Sequence, residues 1–322
     1  MILINLRDRH FLHDTKSLTS KCSSLNPTSE NASSGLSSNH KPITHLPTPV
    51  VFICAGRSGS SNTWKTLSKL AGGKVNRAIE DLGSTPKQVQ LFMDTFPSEE
   101  YGAWWVQQHL CQITKFHTMS NIAGFQWKPY KNSLRSSFGQ GVLKGISGYN
   151  ANITKGQPPP SSNHASSSFI RVLYMTRNNL DVIISKLKHK IRTEIVAHCD
   201  KDDKDCSQQH NVKVTLSTNG LLRSLNSMKL KQKNDESTLQ LMGVEYYRTS
   251  YEKLYNTNSA EEWKKILAYL GYPIDKTTAM KDIEAAFPYA KTTTVSRRDI
   301  LENYDEVRNV LEGTEFEALL LD

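Results

Sequence analysis

The run Pro49-Val50-Val51-Phe52-Ile53-Cys54 passes straight into Ala55-Gly56-Arg57-Ser58-Gly59-Ser60-Ser61-Asn62-Thr63-Trp64. A short, unbroken apolar run suits a strand buried on both faces of a parallel sheet. The glycines and small hydroxyl residues after it suit a tight turn into a helix, with Trp64, Leu67, Leu70 and Ala71 on one helical face. Such a turn aims backbone N–H groups and the positive end of a helix dipole at one point, which is what an anion needs. Two small hydroxyls and a fixed cation, Arg57, complete a phosphate or sulfate cradle. The competing reading is a Ser/Gly-rich turn that serves only to redirect the chain. The Gly-Lys-[Ser/Thr] ending of a triphosphatase P-loop is missing, so metal-assisted γ-phosphoryl transfer lacks its usual parts.

The pattern recurs. Phe169–Met175 is a second apolar run, and Met242–Tyr247 a weaker third. Helical periods follow at 180–191 and 261–270; Ser259 with Glu262 three residues on predicts a capping box for the last of these, and Gly271 and Pro273 predict its end. Alternation of this kind predicts an α/β fold, a central, mostly parallel sheet flanked by helices. Ile122–Pro129 reads as another central strand, and 301–320 as a terminal helix. Two polar segments, 131–168 (rich in Ser, Gly and Pro) and 198–219, read as loops.

Composition places the rest. Apolar residues are only 37% of the 322, and the deficit sits in residues 14–48, rich in Ser, Thr, Asn and Pro without an apolar period. Such a segment cannot bury enough surface to offset its ordering entropy, so 1–48 reads as a disordered tail or stalk and 49–322 as the folded domain. Forty basic against 31 acidic residues give a net charge of +9, which favours an anionic partner. No window approaches the ~18 consecutive apolar residues that span a membrane.

The second run delivers Val172-Leu173-Tyr174-Met175-Thr176-Arg177-Asn178-Asn179-Leu180-Asp181 and, eight residues beyond the arginine, Ser185. Ligands of open α/β sheets bind at the carboxyl ends of the strands. Two helical turns can return Ser185 to the side of Arg177, adding a hydroxyl to a bidentate guanidinium grip.

The pair Arg57-Ser58-Gly59-Ser60-Ser61 and Arg177…Ser185 resembles the two nucleotide signatures of sulfotransferases that use 3′-phosphoadenosine 5′-phosphosulfate (PAPS). Tyr247-Arg248-Thr249-Ser250-Tyr251-Glu252-Lys253-Leu254 is similar to that family's Tyr-Glu-x-Leu segment. The resemblance runs from Pro49 to the C-terminus. It implies a P-loop sulfotransferase-like fold, with PAPS as co-substrate and no metal required. The first loop (Arg57, Ser58, Gly59, Ser60, Ser61, Asn62, Thr63) would hold the 5′-phosphosulfate, Arg177 and Ser185 the 3′-phosphate, and Tyr251 would lie by the adenine. One of Arg297 and Arg298 would return to the 3′-phosphate from the C-terminal segment.

Sulfuryl transfer needs an in-line hydroxyl, a base for its proton, and positive charge at the leaving phosphate. Arg57 supplies the charge. In Golgi carbohydrate sulfotransferases a glutamate beyond the loop arginine ends the second strand and takes the proton; Glu80, 23 positions after Arg57, is its counterpart here. Asp81 stands in reserve, and His117 is the nearest analogue of the histidine in cytosolic relatives. A solvated acid pair and a surface histidine are the bland alternatives. Lys128, after the strand-like Gly124-Phe125-Gln126-Trp127, would neutralise the sulfuryl or bridging oxygen, or else snorkel at a strand end.

The expected reaction moves the sulfuryl group to a hydroxyl, on a carbohydrate. A P-loop nucleotide kinase and a non-catalytic nucleotide- or glycan-binding module are the rivals. Lys186, Lys188, Lys190 and Arg192 form a solvated helix face or a contact for an acidic glycan. They lack the interleaved aromatics of single-strand nucleic-acid binding. Cys199 and Cys206 close a charged loop as a disulfide, or stay as thiols, or join His198 and His210 on zinc. Cys54 reads as a core thiol. Asn31-Ala32-Ser33 and Asn152-Ile153-Thr154 have the form of glycosylation acceptors in loops. These cues favour the Golgi lumen over the cytoplasm, with membrane attachment only through an anchor this chain does not contain.

Overall fold

Among the described residues four strands form a parallel sheet, in the order β2-β1-β3-β4: β1 Thr48–Cys54, β2 Ile122–Trp127, β3 Arg171–Thr176 and β4 Tyr246–Ser250. The computed structural model describes residues 48–56, 58–72, 99–100, 102–103, 106, 121–129, 133–155, 169–191, 212–255, 259–274, 277, 279–287 and 296–321. Its helices are α1 Ser60–Leu70, α2 Ser137–Thr154, α3 Asn179–Ile191, α4 Leu221–Leu241, α5 Tyr251–Tyr255, α6 Ala260–Tyr269, α7 Met280–Glu284, α8 Arg297–Ile300 and α9 Tyr304–Leu311, with 3₁₀ turns at Ser133–Arg135 and Glu317–Leu320. The expected α/β class, a parallel sheet flanked by helices, is what the chain adopts. None of the described helices is long and apolar enough to cross a membrane.

Alternation along the strands builds two cores. Val51 and Ile53 face Phe138, Val142, Leu143 and Ile146 of α2 and Leu239 of α4. Val50, Phe52 and Cys54 face Trp64 and Leu67 of α1 and Trp263, Ile266 and Leu267 of α6. Every residue of β1 is buried, as its unbroken apolar run requires. Trp64, stacked on Phe52 with ring centroids 6.5 Å apart, belongs to this core. A third cluster joins α3, α4, α8 and α9 with Phe316. Each such Leu, Phe or Ile contributes about 1.5–3 kcal/mol by leaving water.

Several local expectations are corrected. The segment 131–168 is not a loop throughout, because α2 occupies 137–154, and Asn152 therefore sits in a last helical turn. Two of the glycines that suggested a loop serve close packing: a Cβ on Gly141 would lie 2.0 Å from the Glu99 carbonyl oxygen, and one on Gly145 would lie 3.1 Å from the Ala103 Cα. The strand expected over 242–247 is β4 and begins only at Tyr246, since Met242 and Gly243 close α4. That helix was not foreseen; its buried face is only Leu221, Leu225, Asp235, Thr238 and Leu239. Residues 301–320 are not one helix, because Leu301 pairs with Val214 and Gly313 (φ 69°) breaks the run after α9. The capping box at Ser259 does not form: Glu262 instead accepts from the Thr249 hydroxyl at 2.7 Å, and Ser259 turns to Met280. Gly271 (φ 89°) does end α6.

Candidate functional site

In this strand order the chain goes from β1 to β2 on one side and then crosses to β3 on the other. The crevice at such a reversal, outside the carboxyl ends of β1 and β3, is where open α/β sheets bind ligands. The two segments read from the sequence as anion motifs directly follow these strand ends. From the end of β1 the chain runs through Gly56 to Ser58, Gly59 and the start of α1. Gly59 takes φ 80°, a left-handed conformation that a side chain disfavours. The first turn of α1 has no side-chain cap among the described residues, so its amides are left to another acceptor. Ser58 is fully buried, and its Oγ has no hydrogen-bond partner among the described residues. A buried hydroxyl without a partner beside an uncapped helix N-terminus fits an oxyanion.

Tyr251 joins the two motifs. An added Cβ on Gly59 would lie 2.6 Å from its ring, so the turn and the ring are in direct contact. The Arg177 guanidinium carbon lies 4.3 Å from the ring centroid, and the Tyr255 ring stacks on it at 4.5 Å. Tyr251 is therefore packed by protein on several sides, with its ring between the glycine turn and the arginine. Burial holds its hydroxyl above the usual tyrosine range, opposed by the Arg177 charge, so the group stays a neutral donor at neutral pH.

The turn after β3 is held by hydrogen bonds. Asn178 Oδ1 accepts from the backbone N–H groups of Leu180 at 2.9 Å and Asp181 at 3.4 Å, capping α3. The Asn178 N–H donates to Glu252 Oε1 at 2.7 Å, tying the residue after Arg177 to the residue after Tyr251. Gln232 of α4 donates to the Asn179 side-chain oxygen at 3.0 Å.

The sequence-predicted residues divide accordingly. Gly59, Tyr251 and Arg177 are brought together, with Ser58 and Ser60 buried on either side of Gly59. Ser61 and Asn62 are half-buried in the first turn of α1. Thr63 is turned inward: its hydroxyl meets the Gly59 carbonyl at 3.2 Å and the Tyr255 hydroxyl at 3.0 Å, holding the turn from behind. Burial pushes the Tyr255 hydroxyl far up, so this pair stays neutral. Ser185 is half-buried on α3, two turns beyond Arg177. Lys128 follows β2 directly and is half-buried. Arg297 is buried and bound to Asp181 through Nε at 2.9 Å and Nη2 at 3.1 Å, with Nη1 on the Leu321 carbonyl; Arg298 is exposed. Arg57, Glu80, Asp81, His117, Cys199, Cys206 and Asn31 lie outside the described residues.

Sequence reasoning missed Asn178, Glu252 and Asp181 as supports. An Asn ahead of an apolar helical period is a cap signal that could have found the first. It also missed Gln126, 5% exposed on β2, whose Nε2 lies 3.5 Å from the Ser60 carbonyl and whose Oε1 has no partner among the described residues.

No protein-family profile matches the chain, and no curated protein matches it. Among solved structures it is similar to the sulfotransferase domain of the olefin synthase from Synechococcus PCC 7002, with 13% identity over 87% of this chain and 89% of that one and a TM-score of 0.32. A TM-score that low does not establish a common fold, and the α/β assignment stands on the four parallel strands of the described residues.

Proposed function

We propose that the protein is a PAPS-dependent sulfotransferase that passes a sulfuryl group to a hydroxyl, on a carbohydrate. The observation that carries this is the contact of Tyr251 with both Gly59 and Arg177. It joins three motifs, 118 and 74 residues apart in sequence, and this supports reading them as parts of one site for a doubly charged adenosine nucleotide. The Ser58 hydroxyl and the first amides of α1, without side-chain partners among the described residues, fit the 5′ end of such a nucleotide.

The bound nucleotide supplies an activated sulfuryl group. The amides from Gly59 onward, with Ser58, Ser60 and Ser61, hold its charged oxygens, while Arg177 and Ser185 hold the 3′-phosphate. Arg57 offsets the charge that develops on the leaving phosphate, an effect worth ~10²–10³ in rate for one preorganised donor. Glu80 takes the acceptor proton as the acceptor O–S bond forms and the S–O bond to phosphate breaks, and Lys128 neutralises charge on the sulfuryl oxygens. The Golgi lumen, with a Cys199–Cys206 disulfide, is the compartment we assign.

The decisive experiment is an acceptor screen with labelled PAPS over glycans, phenols and steroids, run with calorimetric titration of adenosine 3′,5′-bisphosphate against ATP·Mg. Transfer to a glycan, lost in Glu80→Gln with bisphosphate affinity kept, is expected. Preference for ATP·Mg would make the protein a nucleotide kinase. Bisphosphate binding without transfer to any acceptor would make it a binding module.

A further inference from the structure

Two residues of the Arg177 turn are tied to the same short piece of chain. Asn178 Nδ2 donates to the Leu319 carbonyl at 3.1 Å, while its Oδ1 caps α3. Asp181 is gripped by both arms of Arg297, whose remaining Nη1 donates to the Leu321 carbonyl. The Asp181 and Arg297 side chains are 18% and 9% exposed, so water screens the pair little. The strap is itself anchored. Phe316, 5% exposed, packs in one cluster with Leu180 and Ile184 of α3, and Glu315 pairs with Lys229 of α4.

We propose that the carboxyl-terminal turn, residues 317–321, is a specificity element of the nucleotide site. Through Asn178 and the Arg297–Asp181 pair it fixes the one turn that carries Arg177, and so sets the preference for a nucleotide bearing a 3′-phosphate. Arg297 is then a positioning residue that acts through Asp181, and its guanidinium is committed to that carboxylate and to a carbonyl. The proposal rests on the reading that Arg177 grips the 3′-phosphate. A bidentate grip needs the guanidinium plane held in one orientation, and a turn released at two of its four following residues does not hold it.

The test compares the full chain with a chain ending at Phe316, with Asn178→Ser (which keeps a cap and loses the reach to Leu319) and with Arg297→Lys. Binding of adenosine 3′,5′-bisphosphate and of adenosine 5′-phosphate is measured for each, beside hydrogen exchange at the Leu180 and Asp181 amides. In the shortened chain the bisphosphate is expected to bind about tenfold more weakly, the equivalent of ~1.4 kcal/mol, with the monophosphate unchanged and exchange at both amides faster. An unchanged ratio of the two affinities overturns the proposal, as does a proportional loss of both, which would report general loosening. Unchanged exchange also overturns it. If the full chain binds neither nucleotide, the functional reading and the specificity role fail together, and exchange alone then decides whether the strap holds the turn.

Discussion

The Arg177 guanidinium lies 4.3 Å from the centre of the Tyr251 ring, a cation–π contact between the ends of β3 and β4 that joins two motifs 74 residues apart. At a largely desolvated site such a contact contributes about 2 kcal/mol. The ring meets a face of the guanidinium, whereas an anion would be met in the guanidinium plane.

Tyr251→Phe keeps the ring and loses only a neutral hydroxyl, so urea denaturation should find a change of about 1 kcal/mol or less. Tyr251→Ala removes the ring from among Gly59, Arg177 and Tyr255, and about 3 kcal/mol is expected. Equal losses in the two variants would show that the hydroxyl, and not the ring, is the structural contact.

Gly59 should tolerate no side chain. A Cβ there meets the Tyr251 ring at 2.6 Å while the backbone sits at φ 80°. The conformation alone costs a non-glycine residue about 1–2 kcal/mol, and moving the ring adds to it. Thermal melts of Gly59→Ala should fall by several degrees, with nucleotide affinity falling too. Gly56, which has open space around it, is the control: Gly56→Ala should melt within about 2 °C of the parent chain.

The parts of the fold legible in the sequence were those with unbroken apolar runs. β1 and β3 are buried on both faces, so nothing interrupts their pattern and their limits were read to within two residues. α2 and α4 were obscured for opposite reasons. α2 uses glycine for a close crossing, and glycine in a sequence looks like a turn. α4 buries so few apolar residues that no stripe appears, and it is held partly by polar contacts such as Arg135 to Asn234. At the site, Gly59, Arg177 and Tyr251 were visible because their chemistry is local. The supports were not, since Glu252 on Asn178, Arg297 on Asp181 and the Leu319 carbonyl are contacts over 74, 116 and 141 residues. No spacing rule encodes a pair made only by tertiary structure.

The Arg297–Asp181 pair sets a third expectation. Removing one member of a buried pair leaves the other charge uncompensated, a loss of about 3 kcal/mol. Asp181→Asn and Arg297→Met should each lose stability on that scale in chemical denaturation. The double variant should lose clearly less than the sum, because neither charge is then stranded. Strict additivity would mean that the two side chains do not share one interaction.

A last expectation concerns pH. Asp235 of α4 is buried, with Lys231 and Arg135 as its opposing charges and Glu236 as a like one. Burial raises its pKa and outweighs the Lys231 ion pair, whose Nζ lies 2.5 Å away. The folded state therefore keeps this proton to a higher pH than the unfolded chain, whose aspartates titrate near ~3.9. In the window above that value the folded state binds more protons, so this group's contribution to stability falls as pH rises and levels off once Asp235 is ionised in both states. Asp235→Asn removes the ionisation while keeping the shape. Its melting temperature relative to the parent chain should rise with pH from about 4 to neutrality, then stay level. A difference that shrinks over that range would mean that Lys231 and Arg135 hold the carboxylate ionised, and that the ion pair outweighs the burial.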